Sequence, residues 1–157
     1  MNRAMDHPDW AAFVEAIVAN PGDDTARLVA ADFLEEHGDA DRAAFIRVQV
    51  QLARLESIGV MKGPEVDQLR AKERGLTAPF SNLSLWAAEE CPELVNMLRP
   101  ALPTPGIKFT VRGTEKVGWH RGFIHQVRCL AREWQQHGVA LRKRLPIRIV
   151  TLRVAKN

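Results

Sequence analysis

Cysteine is scarce in this chain: only Cys91 and Cys129 are present, far apart and without CxxC spacing. That argues against a disulfide framework or a cysteine-built zinc site, and both are expected to be reduced, partly buried thiols. Long apolar runs are missing too. Nothing approaches the roughly 20 residues needed to span a bilayer, and the opening residues lead into no apolar stretch of a secretion signal. A cytoplasmic protein without a membrane partner is therefore expected. Serine is confined to Ser57, Ser81 and Ser84, none beside a histidine. There is no GxSxG elbow, no HExxH pair and no Gly-rich phosphate loop, so a hydrolytic triad, a zinc protease site or a nucleotide cradle has no sequence support.

Acid is scarce in the C-terminal part. Residues 99–157 carry 13 Lys and Arg but only two acids, Glu115 and Glu133, whereas residues 1–98 carry 17 acids and 9 bases. The formal charge of +3 thus conceals about −8 in one part and about +11 in the other. The halves should attract each other, and the surplus of cations makes an anionic partner worth weighing. At 157 residues with 46% apolar content, the chain can bury a real core, as one compact domain or two tightly packed halves.

Helical spacing dominates the first part. Trp10, Phe13, Val14, Ile17 and Val18 recur at intervals of three and four after His7-Pro8-Asp9, and Asn20-Pro21-Gly22 ends that helix. Asp23, Asp24 or Thr25 opens a second, with Leu28, Val29, Phe33 and Leu34 as its apolar face and Gly38 as its stop. A third runs from Asp39 or Asp41 through Ala44, Phe45, Val48, Leu52 and Leu55 to Gly59. A fourth, more exposed, follows Pro64 through Val66 and Leu69 and ends near Gly75. Five prolines between residues 76 and 106 allow only short helical pieces, at 83–91 and 93–98. The run Pro100 to Gly106 marks the border between an acidic helical subdomain, residues 1–100, and a basic subdomain, residues 101–157.

Beyond the border the pattern becomes extended. Ile107, Phe109 and Val111 alternate with polar residues, Gly113 to Lys116 reads as a turn, and a second strand is expected over 122–129. In it Phe123, His125, Val127 and Cys129 should share one face, and Ile124, Gln126 and Arg128 the other. Residues 131–145 form a helix in spite of Gly138, which costs about 1 kcal/mol against alanine. Pro146 stops it and residues 147–154 form a last strand, so strand, helix and strand imply a parallel crossover. The expected fold class is α+β, with about four helices followed by a β-β-α-β sheet.

The run Asn20-Pro21-Gly22-Asp23-Asp24-Thr25-Ala26-Arg27-Leu28-Val29-Ala30-Ala31-Asp32-Phe33-Leu34-Glu35-Glu36-His37-Gly38-Asp39, continued by Arg42-Ala43-Ala44-Phe45-Ile46-Arg47-Val48-Gln49, resembles the bacterial repeat-companion domain family. Gly118-Trp119-His120-Arg121-Gly122-Phe123 and the segment from Leu145 to Leu152 resemble that family's RGF strand and the strand that opens a repeat array. Phe33 stands where tryptophan is commoner in the pattern, and no repeats follow the last strand in this sequence. The resemblance implies no catalytic role.

Asp32, Glu35, Glu36 and His37 resemble an acid cluster, but Glu35, Glu36 and His37 are consecutive and fan around the helix. A structural reading fits better: Asp32, between Val29 and Phe33, is expected to be partly buried and paired with Arg27, Arg42 or Arg47, Arg47 above all. His120, His125 and Cys129 suggest zinc, yet strand parity sends His120 to the face opposite the other two, so no metal site is expected. The basic residues Arg112, Lys116, Arg121, Arg128, Arg132, Arg142, Lys143, Arg144, Arg148, Arg153 and Lys156 form the candidate polyanion-binding set. Trp119 and Trp134 read as core residues before base-stacking platforms. The sequence reading is a non-enzymatic adaptor or scaffold domain without a cofactor, binding another protein or itself. Its alternative is a nucleic-acid-binding accessory protein that contacts phosphates through the basic half.

Overall fold

Proline and short polar caps set the helix starts. In the computed structural model, which describes residues 4–77, 86, 87, 89 and 117–153, a 3-10 turn over Ala4–Asp6 leads to helix α1, Pro8–Ala19, where the His7 Nδ1 accepts the Asp9 amide. Trp10 and Ile17 are buried on its inner side. Helix α2, Thr25–Glu36, starts behind an aspartate pair, and α3, Ala40–Ser57, is capped by Asp39, whose Oδ1 accepts the Arg42 amide. Helix α4, Pro64–Thr77, passes through Gly75 instead of stopping there and buries Val66. Glycine costs a helix only about 1 kcal/mol, so it does not by itself end one.

Helix α3 is the hub. It packs against α2 and α4 and meets the sheet, and it buries Ala43, Phe45, Ile46, Val48, Val50 and Ala53. Its partner α2 buries Ala30, Ala31, Phe33 and Leu34, while Val29, expected in the apolar face, is 44% exposed. Trp10, Ile17, Ala30, Leu34, Ala43, Ile46 and Val50 belong to one core cluster, which also contains Phe123 from the sheet.

The sheet has the order β1-β2-β3. Strand β1, Val117–His120, was not anticipated as a separate strand; it pairs antiparallel with β2, Phe123–Leu130, across a turn at Arg121-Gly122. Helix α5, Ala131–Arg144, then carries the chain over to β3, Ile149–Arg153, which lies parallel to β2 with Gln126 opposite Ile149 and Leu130 opposite Arg153. The architecture is α+β, with a β-β-α-β C-terminal part. Ile124, Val127, Cys129, Leu141, Leu145 and Ile147 form its core together with Ala87. The strand expected over 107–112, the turn after it, the helical piece at 93–98, Cys91 and the subdomain border at 100–106 lie outside the described residues, as does all of the 83–91 piece except Trp86, Ala87 and Glu89, which are helical. No helix among the described residues is long and apolar enough to cross a membrane.

A β-bulge corrects the expected strand parity. Gly118 pairs with Gln126 but Trp119 pairs with Ile124, so His125 is the extra residue on β2. An extra residue reverses the alternation on either side of it. Ile124 therefore joins Val127 and Cys129 in the C-terminal core, and Phe123 enters the helical one.

Gly138 inside α5 has a packing reason. A Cβ there would lie 2.8 Å from Trp134 Cε2, because the indole lies over the glycine one turn later. Gly138→Ala gains about 1 kcal/mol of helix propensity but forces the indole aside, at about 1–3 kcal/mol. Urea unfolding is expected to show net destabilisation by Gly138→Ala in the natural chain, and stabilisation in a Trp134→Leu background. Equal effects in both backgrounds would contradict this packing.

Candidate functional site

Polar groups from the start of α2, from α3 and from α4 converge on one place, the Arg121-Gly122 turn. Arg121 has φ +52°, a left-handed conformation uncommon for a side-chain-bearing residue. Its Nη1 donates to the Gly22 carbonyl and to Asp24 Oδ1, both at 2.9 Å. The neighbouring amide, that of Gly122, donates to Gln49 Oε1 at 2.7 Å, and Gln49 Nε2 donates in turn to Glu73 Oε1 at 2.9 Å. The turn is thereby tied to the start of α2, to α3 and, through Gln49, to α4.

Asp23 and Asp24 divide two tasks. Asp23 Oδ1 accepts the Thr25 amide at 2.8 Å, and that hydrogen bond holds its carboxyl below the ordinary aspartate value. Asp24 is left to bind cations: Oδ1 takes Arg121 and Oδ2 takes Arg54 Nε at 3.2 Å. Only 12% of the Asp24 side chain is exposed, so this carboxylate sits where water screens it weakly.

Two further arginines are buried outright. Arg27 donates from Nη1 to the Asp23 carbonyl at 2.8 Å and stands 6.0 Å from the Phe123 ring centre. Burial, then the charge of Arg121, lowers its pKa, against the pull of Asp24 and Asp23. Arg42 lies between Trp10 and Trp86, 5.4 and 6.0 Å from their ring centres, with Glu89 at 3.9 Å. Aromatic faces compensate part of the hydration that a buried cation loses.

Arg47 Nη2 meets Asp32 Oδ1 and Glu35 Oε2, each at 2.6 Å. These two hydrogen bonds, that of Asp32 first, raise the Arg47 pKa. The expectation that Asp32 is half-buried is corrected, because its side chain is 66% exposed at the rim of α2. Arg27 and Arg42 serve other partners. His37 Nδ1 lies 2.8 Å from the Phe33 carbonyl and its ring stacks on Phe33, so His37 does not join Asp32 and Glu35 at Arg47. Among the described residues no group of three or more His, Cys, Asp or Glu could hold a metal ion.

The expected separation of His120 and His125 is also corrected. The bulge brings their rings to 5.0 Å, while Cys129 is buried in the core with Ile124 and Val127. Burial, then Arg121, lowers the His120 pKa, with Arg27 adding to this and Glu56 and Asp24 opposing it. Burial, then His120, Arg148 and Arg27, lowers that of His125. Trp119 meets Phe45 and Trp86 edge-on, and both Trp119 and Trp134 pack against the C-terminal core.

Of the polyanion set, Arg121 is committed to the helices and Arg128 is partly buried and engaged. Arg132, Arg142, Lys143, Arg144, Arg148 and Arg153 are exposed. Arg112, Lys116 and Lys156 lie outside the described residues. Gln49 was missed by sequence reasoning, since an uncharged side chain in a helix gives no signal until its turn partner is known. Comparison with protein families, curated proteins and solved structures finds no match.

Two outcomes follow from this geometry. Arg121→Ala takes the closer of two arginines from a mostly buried carboxylate, and a donor from the Gly22 carbonyl, and is expected to cost about 2–4 kcal/mol, whereas Asp32→Ala breaks an exposed pair worth under about 1 kcal/mol. Chemical denaturation of the two variants measures the contrast, and equal losses would refute it. The histidines give a pH dependence. Their folded pKa values lie below the ordinary 6.5, so the folded state favours the neutral rings; that contribution is complete above about 6.5 and lost as pH falls through the lowered values. Urea midpoints at pH 7.5 and 5.5 should differ less in a His120→Gln/His125→Gln variant than in the natural chain.

Proposed function

We propose that this chain is a non-enzymatic interaction domain, an adaptor or scaffold that binds another protein or a second copy of itself through the edge of β3. The observation that carries the reading is that strand. Among the described residues β3 pairs only with β2, and Ile149 and Leu152 on it are 45% and 52% exposed. An edge strand with unpaired backbone groups and apolar side chains is a template for strand addition. Arg148 and Arg153 at its ends discourage indiscriminate pairing. The network at Arg121 supports the same reading from the other side, because its hydrogen bonds run between elements of the fold. The run from Asn20 to Gln49 and the Arg121-Gly122-Phe123 turn are, in this proposal, the shared structural pattern of bacterial repeat-companion domains, in a cytoplasmic protein that needs no cofactor or metal.

The test compares the natural chain with an Ile149→Lys/Leu152→Lys variant of unchanged unfolding midpoint. Sedimentation over a hundredfold range of concentration reports self-association, and affinity capture from the native cell reports a foreign partner. The expected result is association or capture that the variant loses. Neither association nor edge-dependent capture in the natural chain would overturn the proposal.

A further inference from the structure

Helix α5 distributes its charge unevenly. Arg132, Gln135, Gln136, Val139, Arg142 and Lys143 are all exposed, and at 100° per residue they fall within about 120° of the helix circumference, over a length of about 16 Å. The opposite side holds Trp134, Gly138 and Leu141 against the sheet core. The helix has one acid, Glu133, and it is withdrawn from the stripe: its Oε2 accepts the Leu130 amide at 2.7 Å, closing the N-terminal turn. The exposed stripe therefore carries cations and amides and no carboxylate.

Part of the excess positive charge of the C-terminal part is left over among the described residues. Arg121 crosses to Asp24, but no carboxylate among the described residues lies within ion-pair distance of Arg132, Arg142, Lys143 or Arg148. Arg148 extends the exposed cations beyond the end of the helix. The composition of the stripe distinguishes between partners. The centre of a specific protein interface is depleted in charge, Lys especially, and anchored by aromatic or large apolar groups. Val139 is the single apolar side chain on the stripe, so the means to exclude water from a protein partner are missing. Arg and Lys with interspersed Gln match a phosphodiester backbone, where cations neutralise phosphates and amides donate hydrogen bonds to phosphate and sugar oxygens. No aromatic ring is on the stripe to stack on unpaired bases, which single-strand binders use.

We infer that the exposed stripe of α5, with Arg148, binds the phosphate backbone of double-stranded nucleic acid without regard to sequence. It is a second surface, separate from the β3 edge. Four engaged cations release about four sets of condensed counterions, so log affinity falls with log salt at a slope near −3.6 on duplex DNA, with dissociation constants in the range of roughly 10⁻⁶ to 10⁻⁴ M at physiological salt.

Fluorescence anisotropy with 20-base-pair duplexes of unrelated sequence, a single strand of the same length and poly-glutamate tests this on the full chain. The expected result is equal binding of the duplexes, weaker binding of the single strand, and a slope that Arg142→Gln/Lys143→Gln flattens by about two. Arg70→Gln/Lys72→Gln on α4 serves as a control and should leave it unchanged. All the substituted residues are exposed, and the unfolding midpoint of each variant verifies the fold. No duplex binding at low salt, a slope that ignores the α5 substitutions, or poly-glutamate binding as tight as duplex would overturn the inference, the last in favour of an acidic protein. Failure here leaves the β3 edge test untouched, since Ile149 and Leu152 are not on the stripe.

Discussion

The contact on which the rest depends is the approach of the Gly122 backbone to α3. A Cβ at Gly122 would lie 2.6 Å from the Ile46 Cα, and the residue has φ +81°. Glycine is required twice over, by space and by conformation. Such closeness would strand the Gly122 amide if α3 offered nothing to it, and a buried amide without an acceptor costs about 1–3 kcal/mol. Gln49, one turn beyond Ile46, supplies the acceptor. The residues on either side exploit the fixed position: Arg121 turns back to Asp24, and Phe123 enters the core between the helices. The sheet is fastened to the helical core at this point because three consecutive residues each meet a different requirement of the same contact.

Buried positive charge is the main cost of this arrangement. Arg27 and Arg42 are 2% and 0% exposed. Arg27 relies on the Asp23 carbonyl oxygen and, at longer range, on the Asp24 and Asp23 carboxylates, and Arg42 on two indole faces and the Glu89 carboxylate at 3.9 Å. Asp24 is the reason the first solution works. One poorly screened carboxylate offsets Arg121 and Arg54 directly and Arg27 at longer range. The aspartate pair before α2 is thus divided between holding a helix start and holding a charge, which one aspartate could not do at once.

Much of the helical part was legible in the sequence, because proline, glycine and apolar spacing are local signals. Pro8, Asn20-Pro21-Gly22 and Asp39 mark real boundaries. The parallel pairing of β3 with β2 across α5 also followed from element order. Illegible features were set by partners distant in sequence. Nothing local to His125 announces a bulge, yet that one extra residue reversed the faces of Phe123 and Ile124 and joined two histidines that parity had kept apart. Asp24 looked like a cap because its neighbours suggest one, and its cations come from residues 54 and 121. Asp32 looked buried because it lies between Val29 and Phe33, but Val29 is itself exposed and the helix presents both to solvent.

The crossover topology keeps the two proposed surfaces apart on one small sheet. A parallel strand cannot be reached by a tight turn, so the chain must leave β2, cross a face of the sheet as α5, and return at β3. The helix spends its apolar side on the sheet, and Trp134, Gly138 and Leu141 show where that side lies. Its other side is then free of packing requirements, and its composition can answer to a partner alone. Strand β3 is constrained differently: its inner edge is used by β2 and, among the described residues, its outer edge by nothing. A strand added there would extend the sheet within its own plane and leave the outward side of α5 as open as before. The two proposed surfaces could therefore be occupied together. The charge on α5, screened beyond about 10 Å at 0.1 M salt, would make itself felt only by a ligand that comes to the helix itself.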